Sequence, residues 1–262
     1  MLAIAAAFVF AGNLCAAAAS EHSGDDTLLL EQYHWRLMRA ESRSSERLPA
    51  FTPPNSMPLT LRFQGVFLTA DGCNMLSERY SLSDQRLIQS KSESDLVTRT
   101  LLGCGDRPGL RDGAVLILLN GDPRYRFVSS KEADDAPELE LESDAGVKVT
   151  FLGVPTGRTR FGDEGELIYL DISSSTIRCK RSELPARDCL QVRQRLGTIT
   201  QLQSFSVGDD RLVPVGPWQL LYEGIEGLTF DGIYRRCVPV KRFHRPDLAP
   251  GEAAYAYLTA DQ

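Results

Sequence analysis

The amino-acid sequence predicts an α+β protein that is mostly antiparallel β and is divided into two domains. Its 262 residues exceed one average domain and suit two, each able to bury its own core. Short segments in which apolar and polar residues alternate recur in both halves, as at residues 59–64, and indicate half-buried strands. Only residues 110–119 show a convincing helical pattern, so strands dominate the prediction.

The first segment, residues 1–19, is predicted to be a secretory signal peptide. It contains no charged side chain, and the alanines at residues 17–19 offer the small-x-small pattern of signal cleavage. Cys15 leaves a lipoprotein as the second alternative, because a lipid on that cysteine would anchor the chain to a membrane. An uncleaved anchor is the third. We therefore expect a periplasmic or secreted protein, with residues 20–26 as a disordered start of the mature chain.

The first domain is predicted over residues 27–154 and begins as an antiparallel meander. Its strands are predicted at residues 28–38, 59–64, 66–68, 75–82, 125–128, 139–141 and 147–152. The helix lies between the fourth and fifth of these strands, with Pro108 near its start. Its predicted apolar face consists of Leu110, Ala114, Ile117 and Leu118.

Residues 155–163 are predicted to link the two domains, because the chain there is rich in Pro, Gly, Thr and Arg without apolar periodicity. The second domain then covers residues 164–262. Its strands are predicted at residues 167–172, 190–192, 218–222, 228–230, 234–240 and 254–258. The polar stretch 197–217 predicts a hairpin or an excursion beyond the sheet.

The charge of the chain argues against nucleic acid as a partner. The formal net charge is −6, whereas phosphate binding depends on clustered Lys and Arg. The one dense basic stretch, residues 235–245, would be split between two faces by strand alternation, and we interpret it as a solvated edge. We expect a monomer that meets a membrane only if Cys15 is lipidated.

The cysteines predict a disulfide-stabilised protein. Five of the six lie beyond the predicted signal peptide, and an odd number in an oxidising compartment gives two disulfides and one remaining thiol, in any of fifteen arrangements. Bridges Cys179–Cys189 and Cys73–Cys104 would contribute roughly 3 and 4 kcal/mol on the chain-entropy model. Cys237 would then be the remaining thiol, either reactive or, as we interpret it, a small buried hydrophobe.

The sequence offers few signs of catalysis or of a cofactor. It has three histidines, none close to another, and no pair of Cys or His has zinc-site spacing. The nucleophile elbow, the zinc-protease motif, the phosphate loop and the dinucleotide fingerprint are all absent from the sequence. We therefore predict a protein that is not an enzyme and has no metal or cofactor, while a triad assembled in space leaves a hydrolase as an alternative.

Three aromatic residues of the second half are the candidate ligand platform. Trp218, Tyr222 and Tyr234 offer flat surfaces on which a sugar or a peptide could stack. The competing interpretation, which we favour, is that they pack in one core, because aromatic residues near β-turns are usually buried.

The first half resembles the META domain of HslJ-like bacterial envelope proteins over roughly residues 27–154. The resemblance lies in Tyr-His-Trp-Arg-Leu at residues 33–37, in the strand at 59–63, and above all in Gly-Cys-Asn at 72–74 followed by Thr-x-x-x-Cys at 100–104. The second half resembles the domain of unknown function 4377, which commonly follows META domains. Its matching residues are Cys179, residues 189–193, Trp218, residues 225–227 and residues 240–242.

The resemblance implies a curved, barrel-like first domain with one packed helix, followed by a small β-rich domain, and it supports both disulfides. It also implies an envelope protein linked to stress resistance. The predicted function is therefore a non-catalytic exported binding module for an unknown envelope protein or ligand. A secreted hydrolase with an interdomain site and a secreted inhibitor or carrier remain the alternatives.

Overall fold

Antiparallel β-strands make up most of the chain in its computed structural model. The structure describes residues 18–52, 59–90, 98–100, 106–129, 136–181, 184–196, 213–230, 232, 236–246 and 253–260. The chain divides into two compact units, Met1–Val154 and Pro155–Gln262. Within the described ranges there are three helices and fourteen strands, which confirms the predicted α+β, mostly antiparallel class.

Nine strands belong to the first unit, and eight of them form a closed barrel. In chain order they are β1 Tyr33–Glu41, β2 Thr60–Gln64, β3 Phe67–Asp71, β4 Met75–Ser83, β5 Arg86–Gln89, β6 Thr98–Arg99, β7 Arg124–Ser129, β8 Pro137–Glu142 and β9 Lys148–Pro155. The order around the barrel is β3-β2-β1-β9-β8-β7-β5-β4, and the pairing of β3 with β4 closes it. Strand β6 pairs with β4 and lies outside this ring.

Apolar side chains fill the interior of the barrel. Trp35, Leu61, Leu139 and Phe151 are fully shielded from solvent. The ring of Trp35 on β1 lies 5.7 Å from that of Phe127 on β7, although two strands separate β1 from β7 in the sheet. Because side chains from non-adjacent strands meet, the interior is a packed core, as expected for a barrel of eight strands.

Helix α1, Ala18–Gln32, crosses one end of the barrel. The Tyr125 hydroxyl on β7 donates a 2.7 Å hydrogen bond to Asp26 of the helix. The amide of Gly65, in the turn after β2, donates a 2.7 Å bond to the Glu31 carboxylate. Strands β2 and β7 lie on opposite sides of the ring, with three strands between them in either direction. A helix bound to both therefore spans the opening.

Helix α2, Asp106–Asn120, covers the other end of the barrel. Its side chains Val115, Leu118 and Leu119 are buried in the barrel core. Asp112 accepts a 2.9 Å hydrogen bond from the amide of Asn74, in the turn between β3 and β4. A Cβ atom on Gly72 would overlap the Asp112 carboxylate, so a larger residue there would displace that carboxylate from its bond to the turn.

The structure corrects the prediction for the start of the first domain. Residues 20–26, predicted to be disordered, lie in α1, and the first strand begins at Tyr33 rather than at residue 28. Local polarity misled the prediction, because the helix is held by distant contacts. Leu30 is buried in the barrel core, and its carbonyl accepts a 2.9 Å hydrogen bond from the Trp35 indole. Ala18 and Ala19, the last two residues of the predicted signal peptide, also lie in α1. Residues 1–17 of that segment, including Cys15, lie outside the described residues.

The one predicted helix lies within α2, and its predicted apolar face is right for Ala114 and Leu118 but wrong for Leu110 and Ile117. Leu110 and Ile117 are among the exposed large apolar side chains of the chain, whereas Val115 and Leu119 are buried. The buried face is therefore rotated relative to the predicted one. Sequence periodicity gave the helix, and the position of the barrel end determined which side it buries.

The second unit is built on a five-stranded antiparallel sheet. Its strands are β10 Glu166–Cys179, β11 Arg187–Leu196, β12 Val213–Leu221, β13 Arg236–His244 and β14 Tyr255–Thr259, in the order β12-β11-β10-β13-β14. The short helix α3, Gly157–Phe161, occupies the stretch predicted as a linker. One face of the sheet carries the apolar core of this unit, including Ile168, Leu170, Val192 and Val240.

Two predictions in the second unit have different outcomes. Residues 213–217, predicted as part of a hairpin or an excursion, begin β12 and pair antiparallel with β11, as a hairpin would, in the registers Leu196 to Val213 and Gln194 to Val215. The excursion is therefore wrong for these residues, and residues 228–230, predicted as a strand, form none. The rest of the stretch, residues 197–212, lies outside the described part of the chain.

Candidate functional site

The aromatic residues predicted as a ligand platform do not form one core. Trp218 on β12 is 39% exposed, and Tyr222, directly after that strand, is half-buried. The favoured interpretation of core packing is therefore wrong for Trp218. The hydroxyl of Tyr222 donates a 2.6 Å hydrogen bond to the carbonyl of Pro185. Tyr234 lies outside the described residues.

Strand alternation places Trp218 on the face of the sheet opposite the apolar core. Its neighbour Leu221 packs in that core and pairs with Leu190, so every second residue before Leu221 shares the core face. Trp218 and Leu220 therefore point to the other face, where Leu220 is 50% exposed. Two large apolar side chains are therefore exposed side by side on that face.

An arginine covers one side of the Trp218 ring. The guanidinium carbon of Arg193, on the neighbouring strand β11, lies 4.9 Å from the ring centre. This is a cation–π contact, worth about 0.5–1 kcal/mol at a partly exposed site. It favours one relative orientation of the tryptophan ring and the guanidinium.

A buried carboxylate holds that arginine in place. Asp171, on β10, is 1% exposed and stands directly opposite Arg193 in the strand register. Arg193 Nη2 lies 3.1 Å from one Asp171 oxygen, and Arg195 Nε lies 2.6 Å from the other. A buried carboxylate is tolerated only with such partners. We call Asp171, Arg193, Arg195 and Trp218 the arginine–aromatic cluster.

The arginine–aromatic cluster contains two guanidinium groups and one carboxylate, and it reaches solvent. The side chains of Arg193 and Arg195 are 21% and 18% exposed. A guanidinium has five N–H donors in a planar fork. The contacts to Asp171 use only some of the Arg193 donors, so the cluster is suited to hold an anionic group beside an aromatic ring.

Strand β12 lies at one end of the sheet order and is interrupted. Pro214 and Pro217 have no N–H to donate, and Gly216 between them has a φ of 74°, in the left-handed region. The pairing of β12 with β11 shifts register at this point. At the opposite end, the outer side of β14 is covered by Glu226, whose amide donates to the Tyr257 carbonyl at 2.8 Å.

One disulfide links β10 and β11, two of the strands that carry the arginine–aromatic cluster. Cys179 at the end of β10 and Cys189 on β11 form the predicted disulfide, with their Cα atoms 5.9 Å apart. Cys237 on β13 is a half-buried thiol and stands opposite Asp171 in the register. In the first unit Cys73 is disulfide-bonded, while Cys104 lies outside the described residues, so the Cys73–Cys104 pairing stays a prediction.

A metal-ligating cluster and a membrane-spanning helix are both absent from the part of the chain that the structure describes. No group of three or more His, Cys, Asp or Glu side chains there is arranged to hold a metal ion. Across the same ranges, every helix is too short or too polar to cross a membrane. Of the histidines, His244 on β13 packs edge-on against Tyr255, with ring centres 5.7 Å apart.

Sequence reasoning found Trp218 but missed the three charged residues around it. One signal was available, because Asp171 interrupts the apolar run Leu-Ile-Tyr-Leu-Asp-Ile at residues 167–172. A carboxylate inside a buried strand predicts cationic partners on adjacent strands. Arg193 and Arg195, two apart on β11, supply them on a single face.

The described structure defines the class of the protein: an eight-stranded closed barrel with helices at its ends, followed by a unit built on a five-stranded antiparallel sheet. No family model matches the chain, and no curated protein matches it either. A solved structure is similar to part of it, the NMR structure of a protein from Burkholderia xenovorans. That match has 21% sequence identity and a TM-score of 0.41, and it covers 50% of this chain and 87% of the other.

Proposed function

We propose that this chain is an exported, non-catalytic envelope protein that acts as a binding module, with the arginine–aromatic cluster as its binding surface. One observation carries the proposal: a partly exposed tryptophan is fixed by an arginine that a fully buried carboxylate holds. Burying a carboxylate costs several kcal/mol unless it is well paired. A buried, paired carboxylate such as Asp171 contributes little net stability to a core, and its main effect is to orient the side chains that will contact a partner.

The surroundings of Asp171 favour binding over catalysis at this place. Its two oxygens are taken by Arg193 and Arg195, and the side chain is almost completely shielded from solvent. A general base must reach the proton that it removes. In this position the carboxylate organises its neighbours and does not meet a substrate.

The envelope location in this proposal is supported by the charge-free N-terminal segment and by the disulfide chemistry. The Cys179–Cys189 bridge suits an oxidising compartment, where such bonds form and persist. The resemblance of the two halves to the META domain and to the domain of unknown function 4377 supports the same location. A role in envelope stress resistance is part of the proposal on that ground.

The experiment compares wild type with Trp218→Ala and with Tyr255→Ala as a matched control. Tyr255, on β14, is 40% exposed and is likewise covered by an arginine, Arg242, at 5.0 Å. Immobilised full chain is exposed to a detergent extract of the bacterial envelope. We expect wild type and Tyr255→Ala to retain the same component and Trp218→Ala to lose it.

Two results would contradict the proposed function. Equal retention of the envelope component by wild type and Trp218→Ala would show that the arginine–aromatic cluster is not the binding surface. Turnover of ester, glycoside or peptide substrates by the purified chain would contradict its non-catalytic character.

A further inference from the structure

We infer that the partner of the arginine–aromatic cluster is a protein segment in which a carboxylate side chain lies next to an apolar one. We also infer that this segment docks through side chains and does not add a strand to the sheet. The inference rests on the proposed function and names the class of its ligand.

The apolar part of the inference comes from β12. Trp218 and Leu220 lie two residues apart on one face, and both are substantially exposed. Adjacent exposed apolar side chains rimmed by charge are typical of protein interfaces. Trp and Arg are also the residues that most often dominate binding energy at such interfaces.

The charged part comes from the arginines of β11. Arg193 is partly exposed and contacts Asp171 through Nη2, one of the three nitrogens of a guanidinium that has five N–H donors. At the beginning of the same strand, exposed Arg187 lies over the ring of Tyr222, with its guanidinium carbon 5.3 Å from the ring centre. The planar fork of arginine matches a carboxylate with two parallel hydrogen bonds. An acidic side chain is therefore the complementary group.

The mode of docking follows from the interruption of β12. Strand addition needs a row of backbone donors and acceptors along an edge. Pro214 and Pro217 remove two of the donors, and Gly216 breaks the regular register between them. What the strand offers next to this interruption is the side chains of Trp218 and Leu220.

A protein segment fits this surface better than a carbohydrate does. A sugar ring stacked on Trp218 would place hydroxyl groups around it, and these need hydrogen-bond partners. Arg193 donates on one side of the ring only, and Leu220 on the other side has no polar side-chain atom to serve the remaining hydroxyl groups. An apolar side chain of a protein buries the same surface without that cost.

The test uses synthetic fluorescein-labelled peptides with the full chain in solution. One peptide alternates Leu with Asp, a second alternates Leu with Lys, and a third alternates Ser with Asp. Fluorescence anisotropy should show binding of the Leu–Asp peptide, weaker binding of Ser–Asp and none of Leu–Lys. Equal binding of the Leu–Lys peptide, or no binding of Leu–Asp, overturns the inference.

Variants tie this binding to the arginine–aromatic cluster. Trp218→Ala and Arg193→Lys should each weaken the Leu–Asp complex by about tenfold or more, the second because lysine keeps the charge and loses the fork. Tyr255→Ala should bind like wild type. Circular dichroism and melting curves identify folded variants, and unchanged affinity in a folded Arg193→Lys variant overturns the inference even if Trp218→Ala fails to fold.

A protease control separates failure of this inference from failure of the proposed function. The envelope extract is digested with proteinase K, which is inactivated before the extract meets the immobilised chain. Trp218-dependent retention that survives digestion overturns the inference in favour of a carbohydrate or a lipid, and leaves the binding module intact. Absence of Trp218-dependent retention from the undigested extract overturns both.

Discussion

At the scale of single residues, Asp171 determines the geometry of the candidate surface. It connects three strands of the second sheet through side-chain contacts. Its carboxylate on β10 pairs with Arg193 on β11, and Arg193 in turn covers Trp218 on β12. The carboxylate is buried, so it contributes by pairing and not by contact with solvent. Removing it should affect stability and surface order together.

Asp171→Ala should lower the free energy of unfolding by about 3 kcal/mol, because two guanidinium groups lose their buried counter-ion. This is the lower end of the usual range, since both arginines reach solvent. Urea unfolding measures the change. Asp188→Ala is the control: its 3.6 Å ion pair with Arg178 is exposed and should contribute at most about 1 kcal/mol. Equal losses in the two variants would show that Asp171 has no special role.

Gln89 is a second residue whose surroundings predict a measurable effect. Both side-chain amide atoms of Gln89 are buried without a hydrogen-bond partner in the described structure, and its register neighbour Tyr80 has a buried hydroxyl in the same condition. Burying an unpaired amide costs about 1–3 kcal/mol. Gln89→Met should therefore raise the urea midpoint of the barrel unit. A lower midpoint would mean that the amide has a partner in solution, such as a bound water.

At the scale of elements, the sequence predicted strands where alternation is strong and failed where distant contacts decide. The alternating residues 59–64 became β2 almost unchanged. Helix α1 was missed because its sequence has no apolar stripe, and its position depends on Tyr125 and Gly65, which follow it in the chain. The start of β12 was missed because prolines and glycine mask a strand that its neighbour β11 pairs.

The arginine–aromatic cluster shows the same limit at a finer level. Periodicity can place Arg193 and Arg195 on one face of a strand. It cannot show that Asp171, more than twenty residues earlier, stands opposite them, because the register of two strands is a tertiary property. The platform was therefore predicted by residue type alone, without the charges that orient it.

Helix α1 yields a prediction that tests its attachment. Tyr125→Phe removes the hydrogen bond to Asp26 and should lower the free energy of unfolding of the barrel unit by about 2 kcal/mol. Relative to wild type, amide hydrogen exchange should increase more in α1 than in the rest of the unit. Tyr80→Phe is the matched control. Its hydroxyl is buried without a partner in the described structure, so its loss should be neutral or stabilising.

The environment of Tyr125 also predicts how the stability of the barrel unit depends on pH. Burial, and then the hydrogen bond to Asp26, raise the pKa of Tyr125 above its ordinary value of 10.0. Because the folded pKa is the higher one, the stabilisation is complete below pH 10.0 and is lost as the pH rises above that value. Burial also raises the pKa of Tyr80 to about 12, so Tyr125→Phe should reduce the alkaline loss without removing it. An unchanged alkaline slope in Tyr125→Phe would contradict the assignment.

At the scale of the whole molecule, the division at Val154 and Pro155 separates two cores with different sources of stability. The barrel unit buries a large apolar interior. The second unit has a smaller apolar cluster and a disulfide between two of its central strands. A small core gains proportionally more stability from a covalent cross-link. The stability of the second unit should therefore depend on whether its disulfide is oxidised or reduced.

The disulfide therefore supports a prediction about the unfolding of the entire chain. Cys179→Ser opens a bridge that spans a sequence separation of 10, and under oxidising conditions it should lower the stability of the second unit by roughly 3 kcal/mol. Calorimetry should show a transition of the second unit moving to lower temperature while that of the barrel unit stays in place. After reduction, wild type and Cys179→Ser should melt alike, because neither then has the bridge.

Cys237→Ser is the control for the disulfide prediction. It removes a thiol and no bridge, so it should shift the transition of the second unit equally with and without reductant. Equal shifts of Cys179→Ser in both conditions would instead mean that the serine acts through packing, and the bridge would contribute little to the sheet that carries the arginine–aromatic cluster.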